Sequence, residues 1–142
     1  MPPETPPMIM PPVVLRDAMS ESCDLLDDIR ATLDLQDRMH AYAALRVLLH
    51  ALRDRMAAET VLATAAGMPL MVSGIAVQGW TPRAPAPRRP LMDDISDGLP
   101  LGFPVPPGPA AAAVMAALLA RAAPQAAARL RVAAPDLSPA PN

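Results

Sequence analysis

The chain has no lysine, a single cysteine, and three aromatic side chains, Tyr42, Trp80 and Phe103. Each scarcity excludes something. Cys23 alone cannot form an intramolecular disulfide, which fits a reducing cytoplasm. With so few aromatics, any core must be built from Leu, Val, Ile, Met and Ala, and Ala-rich surfaces bury few methylenes per residue. The same shortage removes the stacking platforms of a single-strand nucleic-acid binder. A formal net charge of −2 supplies no global attraction to nucleic acid or to an anionic membrane. No apolar run of about 18 residues is free of charge or proline, so no transmembrane helix is expected. The start, MPPETPPMIMPPVV, has neither the basic beginning nor the continuous apolar stretch of a signal peptide. No glycine-rich phosphate loop, nucleophile elbow or metalloprotease motif occurs, and no cofactor is expected. An all-arginine basic complement, beside heavy Ala and Pro use, points to a GC-rich bacterial genome. The expectation is a cytoplasmic bacterial protein.

What is present is apolar and helical in pattern. Apolar residues make up 52% of the 142 residues, and the 20 prolines argue against one compact fold from end to end. Residues 1–12 read as a disordered Pro-rich leader. A first helix is expected over Val13–Leu33, because Leu15, Met19, Ser22, Leu26, Ile29 and Leu33 step alternately by four and three. Asp34 and Asp37 stand where either can cap the next helix, expected over Gln36–Met56 with Tyr42, Leu45, Leu49, Leu52 and Met56 on its seam. A third helix, Ala58–Ala66, ends at Gly67. A fourth, Pro69–Gln78, is apolar almost all round and is expected to be the most buried element. Gly74 is read as a site of close backbone approach and Gly79 as a left-handed terminator. Residues 81–90 form a stiff Pro/Arg linker. Short helices follow at Leu91–Leu99, Pro109–Ala123 and Pro124–Val132, and residues 136–142 are expected to fray. The organisation is thus an N-terminal helical unit at 13–80 and a small C-terminal unit at 91–135, an all-α small helical bundle.

An internal repeat connects the two units. At an offset of 66 residues, the separation of Leu48 from Val114, the residues Leu48, Leu49, Leu52, Arg55 and Pro69 fall over Val114, Met115, Leu118, Arg121 and Pro135. The competing explanation is that any two Ala-rich helices align somewhere.

The candidate functional face is Arg46, His50, Arg53 and Asp54 on the second helix. Asp54 lies one turn after His50 and Arg46 one turn before, so Asp54 is placed to orient the imidazole as a base. No Ser or Cys nucleophile is placed beside it, and a salt-bridged helix surface accounts for the same spacing. Glu21, Asp24, Asp27 and Asp28 gather carboxylates within a turn or two. Without a second acidic helix or a glycine loop they lack the converging ligands of a cation site. His40 and His50 fall on different helix faces, so no metal site is expected. Arg83, Arg88 and Arg89 among prolines read as a solvated linker.

The run AYAALRVLLHALRDRM (Ala41–Met56), the Ala58–Pro69 helix and the apolar helix closed by Gly79–Trp80 together resemble the bacterial family known as DUF2267. The resemblance is sharpest at Leu48–Arg55 and extends in outline over residues 13–135. It implies an all-helical protein, often of two similar halves, and it transfers no catalytic residues. Family members tend to carry aromatics where Ala76 and Val77 stand here, and Gln-Leu where Gly67 and Met68 stand. The function expected is a non-enzymatic protein-interaction or self-association module, with a second copy or another protein as partner. The alternative is a small-molecule-binding or enzymatic bundle using the Arg46–His50–Asp54 face.

Overall fold

The computed structural model describes residues 11–85 and 89–137. Among these residues every regular element is helical: α1 (Val13–Leu33), α2 (Arg38–Arg53), α3 (Ala58–Ala66), α4 (Leu70–Val77), α5 (Leu91–Gly98), α6 (Pro107–Leu119), α7 (Pro124–Ala133) and a short 3-10 turn at Pro135–Leu137. The leader before Pro11, positions 86–88 of the Pro/Arg stretch and the tail after Leu137 lie outside the described residues.

Local chemistry sets most of the helix ends. Asp34 adopts φ +54, and the N–H of Leu35 behind it bonds the Arg30 carbonyl at 2.9 Å, closing α1 with a left-handed residue. Asp37 then opens α2, its Oδ1 accepting from the His40 N–H at 2.9 Å. Of the two aspartates, one therefore stops a helix and the other starts one. α2 is shorter than Gln36–Met56, because Asp37 fixes its start and the chain turns after Arg53. α6 opens at Pro107, two residues ahead of Pro109, since a proline costs nothing in the first turn.

One apolar core runs through both units. It includes Leu25 and Ile29 of α1, Leu45, Leu48 and Leu52 of α2, Ile95 of α5, Val114, Met115 and Leu118 of α6, and Leu130 of α7. The seam expected on α1 is only half right: Ser22, Leu26, Ile29 and Leu33 are covered, but Leu15 and Met19 are exposed. Ala18 is the first buried residue of this helix, so its first turns project past the core.

The fourth helix corrects a second expectation. Only Val72 and Ala76 of α4 are buried, while Leu70 is 55% exposed. α4 lies outside α1, α2 and α3 and presents one side to them; among the described residues nothing covers its other side. The most enclosed helices are α2 and α6, each with seven buried residues. Gly74 is not a close approach either, since a methyl group there would meet nothing within 4 Å. The close approach is at Gly67, where an added Cβ would stand 2.7 Å from the Ala126 Cβ. Gly79 does adopt the left-handed conformation, at φ +68.

The repeat is visible in three dimensions. At the same offset the C-terminal half of α1 falls on α5, α2 on α6, and α3 on α7. Ile29 and Ile95, Ala44 and Ala110, Leu52 and Leu118, and Val61 and Ala127 are buried in both copies. The ion pairs obey the same relation. Arg55 of the first half bonds Asp94 of the second, and Arg121 of the second bonds Asp28 of the first. Asp28 and Asp94 are themselves a repeat pair, so each half lends an arginine to its partner's acidic helix. This reciprocity has no explanation in chance alignment of Ala-rich helices.

Candidate functional site

Arg46, His50, Arg53 and Asp54 occupy one side of α2 and its end, but they do not act on one another as a unit. Gly79 turns the chain sharply after α4, whose last carbonyls lack i+4 donors; the Ile75 carbonyl takes only the Gln78 N–H, at 3.3 Å, from the backbone of the turn. The side chains of α2 supply them. His50 Nε2 donates to the Ile75 carbonyl at 2.8 Å, which fixes the proton on Nε2, because a carbonyl can only accept. Arg53 Nη1 donates to the carbonyls of Ala76 and Gln78 at 3.2 and 3.0 Å. Two cationic or polar donors at a helix C-terminus also complement its dipole.

Asp54 faces Arg53, not His50. Its Oδ1 accepts from Arg53 Nε at 3.1 Å and lies 3.9 Å from Arg83 Nη2. Arg46 is exposed and carries no ion pair among the described residues. Half-burial of His50 pushes its pKa below the ordinary 6.5; the Ile75 carbonyl opposes that shift, Arg53 and Arg46 reinforce it, and Asp54 opposes it more weakly. His50 is thus held as a neutral donor in a structural hydrogen bond. Among the described residues no hydrogen bond or ion pair joins it to a carboxylate or a nucleophile, as a base in a catalytic relay would require.

The other candidate groups are also engaged within the fold. Asp27 takes a two-pronged bond from Arg38, 2.9 Å on each arm, which holds its carboxyl below the ordinary range. Asp28 binds Arg121. His40 bonds Asp37 through Nδ1 at 2.9 Å and stands edge-on to Phe103 at 5.9 Å between ring centres. Among the described residues no three His, Cys, Asp or Glu side chains are placed to hold a metal ion. Arg89 is clamped by Asp94 and Asp97 at 3.1 and 2.8 Å, and Arg88 lies outside the described residues.

A feature the sequence reading did not find is an open groove of about 920 Å³ between the α2–α3 junction, the start of α5 and the end of α7. Arg55, Met56 and Thr60 form one wall; Leu91 and Met92 form another; Arg129, Val132 and Leu137 close the third. The repeat explains why it is open on this side. Its counterpart on the other side is the contact where Gly67 admits Ala126 and the Ala123 N–H bonds the Gly67 carbonyl at 2.7 Å. On the groove side the matching residues are Ala133 and Thr60. Each carries more atoms than its counterpart across the approximate two-fold axis that relates the halves, and among the described residues no bond from the Ala57 N–H to the Ala133 carbonyl repeats the one between Ala123 and Gly67. Laying Gly67 against Ala133 in the repeat was the signal that would have revealed it.

No helix among the described residues is long and apolar enough to cross a membrane. No curated protein matches the chain. The sequence profile of one family does match, over residues 23–137, a family described as an uncharacterised conserved protein, DUF2267. That span holds both copies of the repeat and stops short of the exposed first turns of α1. The chain, whose described residues form seven α-helices with arginines exchanged between the halves, belongs to the DUF2267 family.

Proposed function

We propose that this protein is a non-enzymatic self-association module whose partner is a second copy of the chain, docked through the first turns of α1. One observation carries the reading: Val13, Val14, Leu15 and Met19 are 60, 65, 46 and 60% exposed on a well-formed helix. Large apolar side chains grouped on one helix end are a surface that association removes from water. A two-fold pairing sets each patch against its own copy. Arg16 and Asp17 sit on the same turns with no ion pair among the described residues. In an antiparallel pairing, Arg16 of each copy faces the acidic Asp17–Glu21 side of the other. The Arg46–His50–Arg53–Asp54 face is, in this reading, a device for seating α4 rather than a reaction centre. A bacterial cytoplasm is part of the same proposal, supported by the lone cysteine and the all-arginine basic complement.

Sedimentation equilibrium of the full chain tests the proposal. The wild type should associate at micromolar concentration, and Leu15→Glu with Met19→Glu should leave monomers with an unchanged helical spectrum. A wild type that stays monomeric across that range would overturn it.

A further inference from the structure

We propose that the groove between the α2–α3 junction, α5 and the end of α7 is a binding site for a small amphiphile with one anionic head group. The volume of about 920 Å³ falls within the range of small-molecule pockets. Most of the lining is apolar, with Met56, Leu91, Met92, Val132 and Leu137 offering flexible or branched hydrocarbon to an alkyl body. The polar groups are few, as such a site needs to fix orientation.

Two arginines decide the sign of the head. Arg129 lines the groove and has no ion pair among the described residues. A guanidinium facing an apolar recess presents a fork of donors that suits a carboxylate or phosphate. Arg55, on the facing wall, gives Nη2 to Asp94 at 2.9 Å and to the Arg89 carbonyl, while its buried Nε has no acceptor among the described residues. Such a buried donor is costly to leave unmet; it is closed off from the groove, and Arg55 contributes only its positive charge to this wall. Asp136 is the one carboxylate in the lining among the described residues, and it is exposed. Its charge opposes an anionic head, so removing it should tighten binding.

The groove itself follows from the broken symmetry at Gly67 and Ala133. Its far counterpart is closed by the Gly67–Ala126 contact, so one site per chain is expected. This inference is independent of self-association, because the groove shares no residue with the exposed turns of α1.

Isothermal titration of the full chain with decanoate, decyl phosphate and decan-1-ol tests it. One equivalent of decanoate or decyl phosphate should bind, at least tenfold more tightly than the alcohol; the tighter of the two identifies the head. Arg129→Ala should weaken binding at least tenfold, and Asp136→Asn should strengthen it a few-fold. Ala128→Trp, at an exposed helix position on the groove wall, should abolish binding while leaving the thermal midpoint of the free protein within a few degrees. Leu15→Ser with Met19→Ser should change nothing. The proposal is overturned by no saturable binding, by equal affinity for the alcohol, by undiminished binding to Ala128→Trp, or by loss of binding in the α1 variant.

Discussion

The two halves of this protein repeat one another from Leu25 to Met71 and from Leu91 to Leu137, yet only the first is fully dressed. The first half adds the projecting turns of α1 and the eight-residue α4; the second half shows neither among its described residues. Where α2 carries His50 and Arg53 to hold α4, the matching positions on α6 are Ala116 and Leu119, whose side chains have no hydrogen-bonding group. Shared positions explain folding, and the unshared ones are where function is to be sought. The comparison also shows that an ion pair can be read as topology. Arg55–Asp94 and Arg121–Asp28 cross between halves in both directions, so each half pairs one of its arginines with an aspartate of the other.

The largest expected effect comes from the paired core isoleucines. Ile29 and Ile95 are 0 and 2% exposed, and truncating either to alanine should cost about 2–5 kcal/mol. Because the core is shared, Ile95→Ala should lower the urea midpoint of Trp80 fluorescence as much as that of far-UV dichroism. Two separate transitions would break the single-core account.

Next comes the axis contact. Gly67→Ala inserts a methyl group 2.7 Å from the Ala126 Cβ, and overpacking of this kind should cost about 1–3 kcal/mol. The mirror change, Ala133→Gly, removes atoms from an open side and should cost about 0.5–1 kcal/mol, the usual helix penalty of glycine. Equal costs in denaturant titrations would contradict the assignment of the groove to this asymmetry.

Smaller again is the exchanged pair. A double-mutant cycle of Arg55→Met with Asp94→Asn should give a coupling of about 1 kcal/mol. The cycle of Arg121→Met with Asp28→Asn should give less, since Asp28 is 59% exposed against 31% for Asp94.

The smallest effect is a pH slope. His50 has a depressed pKa in the folded state, so the unfolded chain binds the proton more readily below pH 6.5. Stability should therefore fall on acidification through that region, and His50→Asn should flatten the slope. An unchanged slope would remove His50 from the account.

Much of this was legible in the sequence. The α1 and α3 boundaries follow from seam stepping and their terminators, and Asp37 from capping chemistry. The all-round apolar composition of α4 does not translate into burial, because an eight-residue helix has one side to give a three-helix platform. The α1 seam misled in the same way, since periodicity says which residues share a face and not whether anything lies against it. The strip on α2 was correctly placed on one helix, but its hydrogen bonds go to backbone carbonyls some 25 residues away, which side-chain spacing cannot encode. The repeat of Leu25–Leu26–Asp27–Asp28–Ile29 at Leu91–Met92–Asp93–Asp94–Ile95 was there to be read. It becomes meaningful once Arg55 and Arg121 are seen to reach across.

The exposed turns of α1 are the central claim, and a concentration series in the analytical ultracentrifuge tests them most directly. The account predicts a reversible dimer that Leu15→Glu with Met19→Glu dissociates while leaving the thermal midpoint of the fold almost unchanged. A wild type that sediments as a monomer at every concentration, or a dimer indifferent to those two substitutions, would contradict it.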